Sequence, residues 1–172
     1  TDPVYGFNMR WVPNQNGGYW DFCDFPLQGA DEEAIADFPV PSVDDFSVEG
    51  LREELASVSR KAVYIGSAGM ADIINSTGRV MGMEDALVNL FTEDEATLAY
   101  VGRMVEMELG ILELALEEAG DLIDFMWIGE DLGTQRAPMI SLEMYRRVLR
   151  PFNQRYMDLA NAYCKPVMEH TC

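Results

Sequence analysis

The chain is 172 residues long and 48% hydrophobic, and its 30 acidic against 12 basic residues give it a net charge of −18. This length and composition predict a soluble globular protein with one core of ordinary size. The acidic surface repels phosphate groups, which argues against nucleic-acid and membrane-surface partners. Three cysteines without a disulfide framework favour a reducing compartment, and we expect a cytoplasmic protein.

The first part of the chain, residues 1–60, predicts a hairpin and a helical lead-in. Two β-prone runs around an Asn-Gly turn are typical of a β-hairpin, and two further stretches have helical composition. These predicted elements are 5–12, 19–25, 31–37 and 47–59. No initiating methionine precedes Thr1, so we expect an internal segment of a longer protein.

The remainder, residues 61–172, predicts strands that alternate with helices. An apolar run of β-branched and aromatic residues at 62–66 ends in a glycine, as a buried parallel strand does. Two helices are expected after it, at 70–75 and 83–91, with glycines between them.

A long helix is predicted over 92–119. Thr92 is followed three residues later by Glu95, which is the pattern of a capping box. Apolar residues then recur at steps of three and four until Gly120, where the helix is expected to end.

The last predicted elements are a strand at 122–128, a second long helix and a strand at 166–170. Ser141 is the expected N-cap of that helix, and Pro151 should kink it because proline has no N–H to bond back one turn. Strands separated by long helices predict a parallel sheet, either open or closed into a barrel.

Residues that can take part in catalysis or metal binding follow the second and third of the three predicted strands. In parallel α/β folds the working residues lie beyond the carboxyl ends of the strands. Glu130 and Asp131 follow the second strand, and His170 and Cys172 follow the third. We therefore expect these side chains at a common edge of the sheet, with Glu130 and Asp131 as the candidate catalytic residues.

Two patterns keep more than one interpretation. Glu130 and Asp131 can serve as metal ligands, as a general acid or base, or only as charges that favour a helix N-terminus. His170 and Cys172 lie two positions apart on a predicted strand and so point to the same side, where they offer two of the four ligands that zinc takes. The alternative is a buried histidine and a free cysteine that hold no metal.

These residues resemble the uroporphyrinogen decarboxylase superfamily, and more narrowly its branch that includes the cobalamin-dependent methyltransferases. The resemblance covers nearly the whole chain. The segments that carry it are Gly129-Glu130-Asp131-Leu132-Gly133-Thr134-Gln135, Pro138-Met139-Ile140-Ser141, Tyr145, Pro151 and His170-Thr171-Cys172, together with Gly17-Gly18-Tyr19, Pro26-Leu27, Phe38-Pro39 and Pro41.

The resemblance implies a TIM-barrel fold of the (β/α)8 type. Barrels of this type have about 250 or more residues, so residues 1–172 are expected to be the central fragment of a single barrel domain. The fragment would supply the N-terminal hairpin and about three βα units. Unpaired strand edges would then have to be covered, by self-association into a homo-oligomer or by other parts of a larger molecule.

The resemblance also implies an activity for the full-length parent. In the methyltransferase branch a His-x-Cys pair and a later cysteine hold zinc, so His170 and Cys172 are the expected ligands. Zinc would activate a thiol or another small acceptor, and a corrinoid on a partner protein or substrate would carry the methyl group. The isolated fragment is expected to be inactive, because each candidate mechanism needs residues that it lacks.

Two alternatives follow from the same resemblance. The parent could be a uroporphyrinogen decarboxylase, a lyase of porphyrin biosynthesis that needs no cofactor, or a non-catalytic barrel that binds a tetrapyrrole or corrinoid. Decarboxylases use a tyrosine at the position that we align with Ile74, so the residues favour the methyltransferase branch.

Overall fold

The computed structural model describes residues 1–2, 5–58 and 61–171 of this mixed α/β protein. The strands in these ranges are β1 (Asn8–Asn14), β2 (Gly17–Cys23), β3 (Tyr64–Gly66), β4 (Phe125–Gly129) and β5 (Val167–His170). The helices are α1 (Glu32–Asp37), α2 (Leu51–Ser57), α3 (Ile73–Met81), α4 (Met83–Thr92), α5 (Glu95–Ala119), α6 (Leu142–Met144) and α7 (Arg150–Ala162).

The chain divides into two compact units, and each is built from two segments. One unit comprises Thr1–Pro41 and Ile74–Arg103, and the other comprises Ser42–Ile73 and Met104–Cys172. The first unit contains the antiparallel β1–β2 hairpin, which confirms the predicted hairpin. Its buried residues come mainly from helices α3, α4 and the start of α5.

Two of the predicted helices are present but with different boundaries. The helix expected at 70–75 begins at Ile73 and ends at Met81. Gly78, which was expected to separate two helices, lies inside this helix and packs closely against Met83. Thr92 does not cap the long helix, since its hydroxyl donates to Val88 O within α4.

Asp94 is the residue that caps α5. Its carboxylate accepts a hydrogen bond from Thr97 N at 2.8 Å, and its carbonyl oxygen accepts one from Leu98 N. A carboxylate satisfies a free N–H of the first turn and also interacts favourably with the helix dipole. The capping function therefore lies two residues after the predicted threonine.

The second unit contains a parallel sheet with the strand order β3-β4-β5. Tyr64 pairs with Phe125, and Gly129 pairs with His170. The prediction of three parallel neighbouring strands is confirmed. β4 starts at Phe125, later than predicted, because Gly120–Leu122 forms a 3-10 turn that extends the end of α5.

The second long helix is interrupted and does not run smoothly through its proline. Ser141 caps it as predicted, with its hydroxyl accepting from Met144 N at 3.1 Å. Residues Tyr145–Leu149 form a π-helical segment, and Pro151 lies in the first turn of α7. Proline is tolerated in a first turn because the N–H that it lacks is not needed there.

The two faces of the parallel sheet differ in burial. Side chains alternate along a strand, and Met126 and Ile128 on one face are fully buried. On the opposite face Tyr64 is 46% and Met168 is 44% exposed.

In the described part of the chain no helix is long and apolar enough to cross a membrane.

Candidate functional site at the carboxyl ends of β4 and β5

The carboxyl ends of β4 and β5 are held together by backbone hydrogen bonds and by close packing of the loop after β3. Glu130 N donates to His170 O at 3.0 Å, and Gly129 N donates to Met70 O at 2.9 Å. A Cβ atom on Gly129 would lie 2.1 Å from Ala68 O, which is too close for any other residue. The glycine thus lets the β3 loop lie directly against the strand end.

His170 and Asp131 meet at this edge of the sheet. The imidazole Nε2 lies 3.5 Å from Asp131 Oδ1, and the two side chains are 40% and 30% exposed. Since His170 pairs with Gly129, a residue two positions after Gly129 is expected on the same side. The predicted meeting of the two strand ends is therefore found for His170 and Asp131. Both side chains are partly exposed, but the Asp131 Oδ1 atom that faces the imidazole is itself buried.

Glu130 has a different environment from its neighbour. It is fully buried, and its Oε2 accepts hydrogen bonds from Ile73 N at 3.1 Å and from Asn153 Nδ2 at 3.4 Å. Glu130 is two positions after Ile128 and four after Met126, so side-chain alternation places it with them on the buried face of the sheet. The structure thus separates the two carboxylates that the sequence placed together, and only Asp131 faces His170.

A second buried carboxylate, Glu108 on α5, binds the loop between β3 and α3. Its Oε2 accepts from the Tyr156 hydroxyl at 2.6 Å and from Ala71 N at 3.1 Å. Ala71 has a φ of 67°, a left-handed conformation that is uncommon for a residue with a Cβ. Because Asn153 Nδ2 also donates to Ala71 O at 3.1 Å, hydrogen bonds from two helices fix this strained residue.

The Tyr156 hydroxyl is held in its neutral form. Burial raises the pKa of this phenol far above its usual value, and the adjacent Glu108 carboxylate raises it further. A neutral phenol donates a hydrogen bond to the Glu108 carboxylate and keeps its proton, whereas a phenolate would be repelled by that carboxylate. This tyrosine and Glu108 therefore form a structural pair beneath the site.

Sequence reasoning missed Glu108 and Asn153, although a signal was available. Glu108 lies four residues after Met104 and four before Leu112, inside the apolar stripe of α5. Asn153 lies between Leu149 and Tyr156 at helical spacing. A polar residue at a core position of a periodic helix predicts a buried hydrogen-bonded group.

The open face of the sheet carries three aromatic rings, two from the first residues of β3 and β4 and one from the middle of β4. The Tyr64 ring stacks on Phe125 with centroids 5.4 Å apart and meets Trp127 edge-to-face at 5.2 Å. Together the three rings form an apolar surface, in which the Trp127 ring is inclined at 71° to the Tyr64 ring. This surface lies on the same side of the sheet as His170.

His170 and Asp131 supply two donor atoms at the place where the sequence predicts a metal site. Cys172, the predicted thiol ligand, lies outside the described residues. Within the described ranges no group of three or more His, Cys, Asp and Glu side chains is arranged to hold a metal ion. Two ligand atoms at about 2.1 Å from one tetrahedral ion lie about 3.4 Å apart, and the His170–Asp131 distance of 3.5 Å fits that spacing.

Comparison with known proteins finds no matching family model, no similar curated protein and no similar solved structure.

Proposed function

We propose that the chain is part of a (β/α)8 barrel related to the uroporphyrinogen decarboxylase superfamily, and that its parent is a zinc-dependent methyltransferase acting with a corrinoid. The observation that carries the proposal is the contact between His170 and Asp131 at the edge of a parallel sheet. Active sites of parallel α/β folds lie at that edge.

The donor set suits zinc. His170 supplies an imidazole nitrogen and Asp131 a carboxylate oxygen, at the separation that two tetrahedral ligands require. Cys172 would supply a thiolate as a third ligand. Zinc, when bound, lowers the pKa of a coordinated thiol so that the thiolate is present at neutral pH.

The chain's own residues would orient these ligands. His170 is fixed through its backbone, because its carbonyl oxygen accepts from Glu130 N. Asp131 is fixed at its own backbone by Asp72, whose Oδ1 lies 3.5 Å from Asp131 N. The aromatic surface of Tyr64, Phe125 and Trp127 would bind a flat apolar ring on the same side of the sheet as His170.

Zinc binding to the purified chain tests the proposal. We expect one tightly bound zinc per wild-type chain and its loss on His170→Ala. Cobalt can replace zinc as a probe, and a thiolate-to-cobalt absorption band that disappears on Cys172→Ser would identify the sulfur ligand.

A matched control separates this site from general cation binding by an acidic protein. Cys164 is an exposed free cysteine, and Cys164→Ser should leave the zinc content unchanged. Equal zinc content in the wild type and in His170→Ala would contradict the proposal and would favour the metal-free decarboxylase alternative.

A further inference from the structure

A separate groove of about 920 Å³ lies beside the site, within the same compact unit. Its walls are the loop after β4, the start of the helix that follows and the end of β5. Most of this lining is apolar and includes Leu132, Pro138, Ile140 and Leu142. Ligand pockets of about 300 to 1,000 Å³ with apolar walls and few polar groups are typical of small-molecule sites.

The groove lies on the other face of the sheet from His170. Glu169 and Thr171 line it, and Glu169 pairs with the buried Ile128. Successive residues of a strand point to opposite faces, so His170 points away from the groove. The groove is therefore independent of the proposed zinc site, and either can exist without the other.

The wall of the groove near Tyr145 is electronegative. Burial raises the pKa of the Tyr145 phenol, and the carboxylates of Glu169 and Glu130 raise it further, against a smaller lowering by Arg150. The negative field of Glu169 thus reaches a hydroxyl that lines the groove. Arg136 also lines the groove, but it is exposed and is not among the charges that act on this phenol.

We propose that this groove binds an apolar organic cation, with Glu169 as the partner of an ammonium group and the Tyr145 hydroxyl as an additional acceptor. The apolar walls formed by Leu132, Pro138 and Ile140 would cover the hydrocarbon part of the ligand. A carboxylate next to a partly buried phenol favours a cation, which keeps its charge and donates hydrogen bonds to both oxygens.

The test uses three phenyl-bearing probes of similar size and different charge: phenethylamine, phenethyl alcohol and hydrocinnamate. Calorimetric titration of the full chain should show that phenethylamine binds in a one-to-one ratio and more tightly than the neutral alcohol. Hydrocinnamate should bind most weakly. Glu169→Gln should weaken amine binding at least about threefold, as expected for a solvent-open charge pair, and leave alcohol binding unchanged.

Two variants keep the test selective. Glu143→Gln is the control, because it removes a negative charge from α6, two residues before Tyr145. The Glu143 side chain is 85% exposed and does not line the groove, so the affinity for the amine should not change. Tyr145→Phe removes only the hydroxyl and should weaken amine binding while preserving the groove.

Specific results would overturn the proposal. If Glu143→Gln weakens amine binding as much as Glu169→Gln, the effect comes from the acidic surface as a whole. If hydrocinnamate binds best and loses affinity in Arg136→Gln, the groove takes anions. Equal binding of all three probes would show that charge has no part in recognition.

Discussion

The two faces of the β3–β4–β5 sheet use carboxylates in opposite ways. On the buried face Glu130 is fully enclosed and accepts hydrogen bonds from Ile73 N and Asn153 Nδ2. On the open face Asp131 is 30% exposed and lies 3.5 Å from His170 Nε2. Neighbouring acidic residues thus have separate roles, one in holding the fold and one in the candidate site.

The difference shows what a strand end does to consecutive side chains. Alternation continues past the last residue of β4, so Glu130 follows Ile128 into the core and Asp131 follows Gly129 to the open side. A buried carboxylate must be hydrogen-bonded, whereas an exposed one remains available to a ligand. The comparison predicts that substitutions on the two faces will affect different properties.

The largest difference is expected between apolar residues of the two faces. Ile128→Ala removes a fully buried side chain and should lower the free energy of unfolding by about 2 to 5 kcal/mol. Met168→Ala, at a side chain that is 44% exposed, should cost about 1 kcal/mol or less. Urea denaturation of both variants measures the difference, and equal losses would show that the open face is packed as tightly as the buried one.

The next effect is expected at Tyr156. Tyr156→Phe leaves Glu108 with one donor fewer in a buried position and should cost about 1 to 3 kcal/mol. Tyr64→Phe on the open face is the control and should change stability by about 0.5 kcal/mol or less.

Tyr156 also predicts a dependence of stability on alkaline pH. The pKa of this phenol is raised in the folded protein by burial and then by Glu108. The contribution of this phenol to the free energy of unfolding is complete below the unfolded pKa of about 10. It is lost as the pH rises above that value. Wild-type stability should therefore fall more steeply above about pH 10 than that of Tyr156→Phe, and identical pH profiles would contradict the buried pair.

A smaller stability difference should separate the two adjacent carboxylates. Glu130→Gln places an amide where two donors already point at one oxygen, and we expect a loss of about 1 to 3 kcal/mol. Asp131→Asn should stay within about 0.5 kcal/mol of the wild type. Thermal unfolding at neutral pH compares the two, and a larger loss in Asp131→Asn would reverse the assignment of roles.

The order and type of most elements could be predicted from the sequence, because apolar runs and helical periodicity are local signals. The cap of α5 was misplaced, since Thr92 and Asp94 both fit an N-cap and only the backbone decides which one is used. Separate roles for Glu130 and Asp131 could have been inferred from alternation along β4. Ala71 and its hydrogen bonds could not, because they depend on residues from α5 and α7 that are distant in the chain.

The most direct test compares zinc affinity in Asp131→Asn and Glu130→Gln. If the open face holds the metal through His170 and Asp131, Asp131→Asn should weaken zinc binding about tenfold or more, because it removes a charged ligand. Glu130→Gln should bind zinc like the wild type wherever it remains folded. Zinc affinity that falls in Glu130→Gln and not in Asp131→Asn would contradict the account.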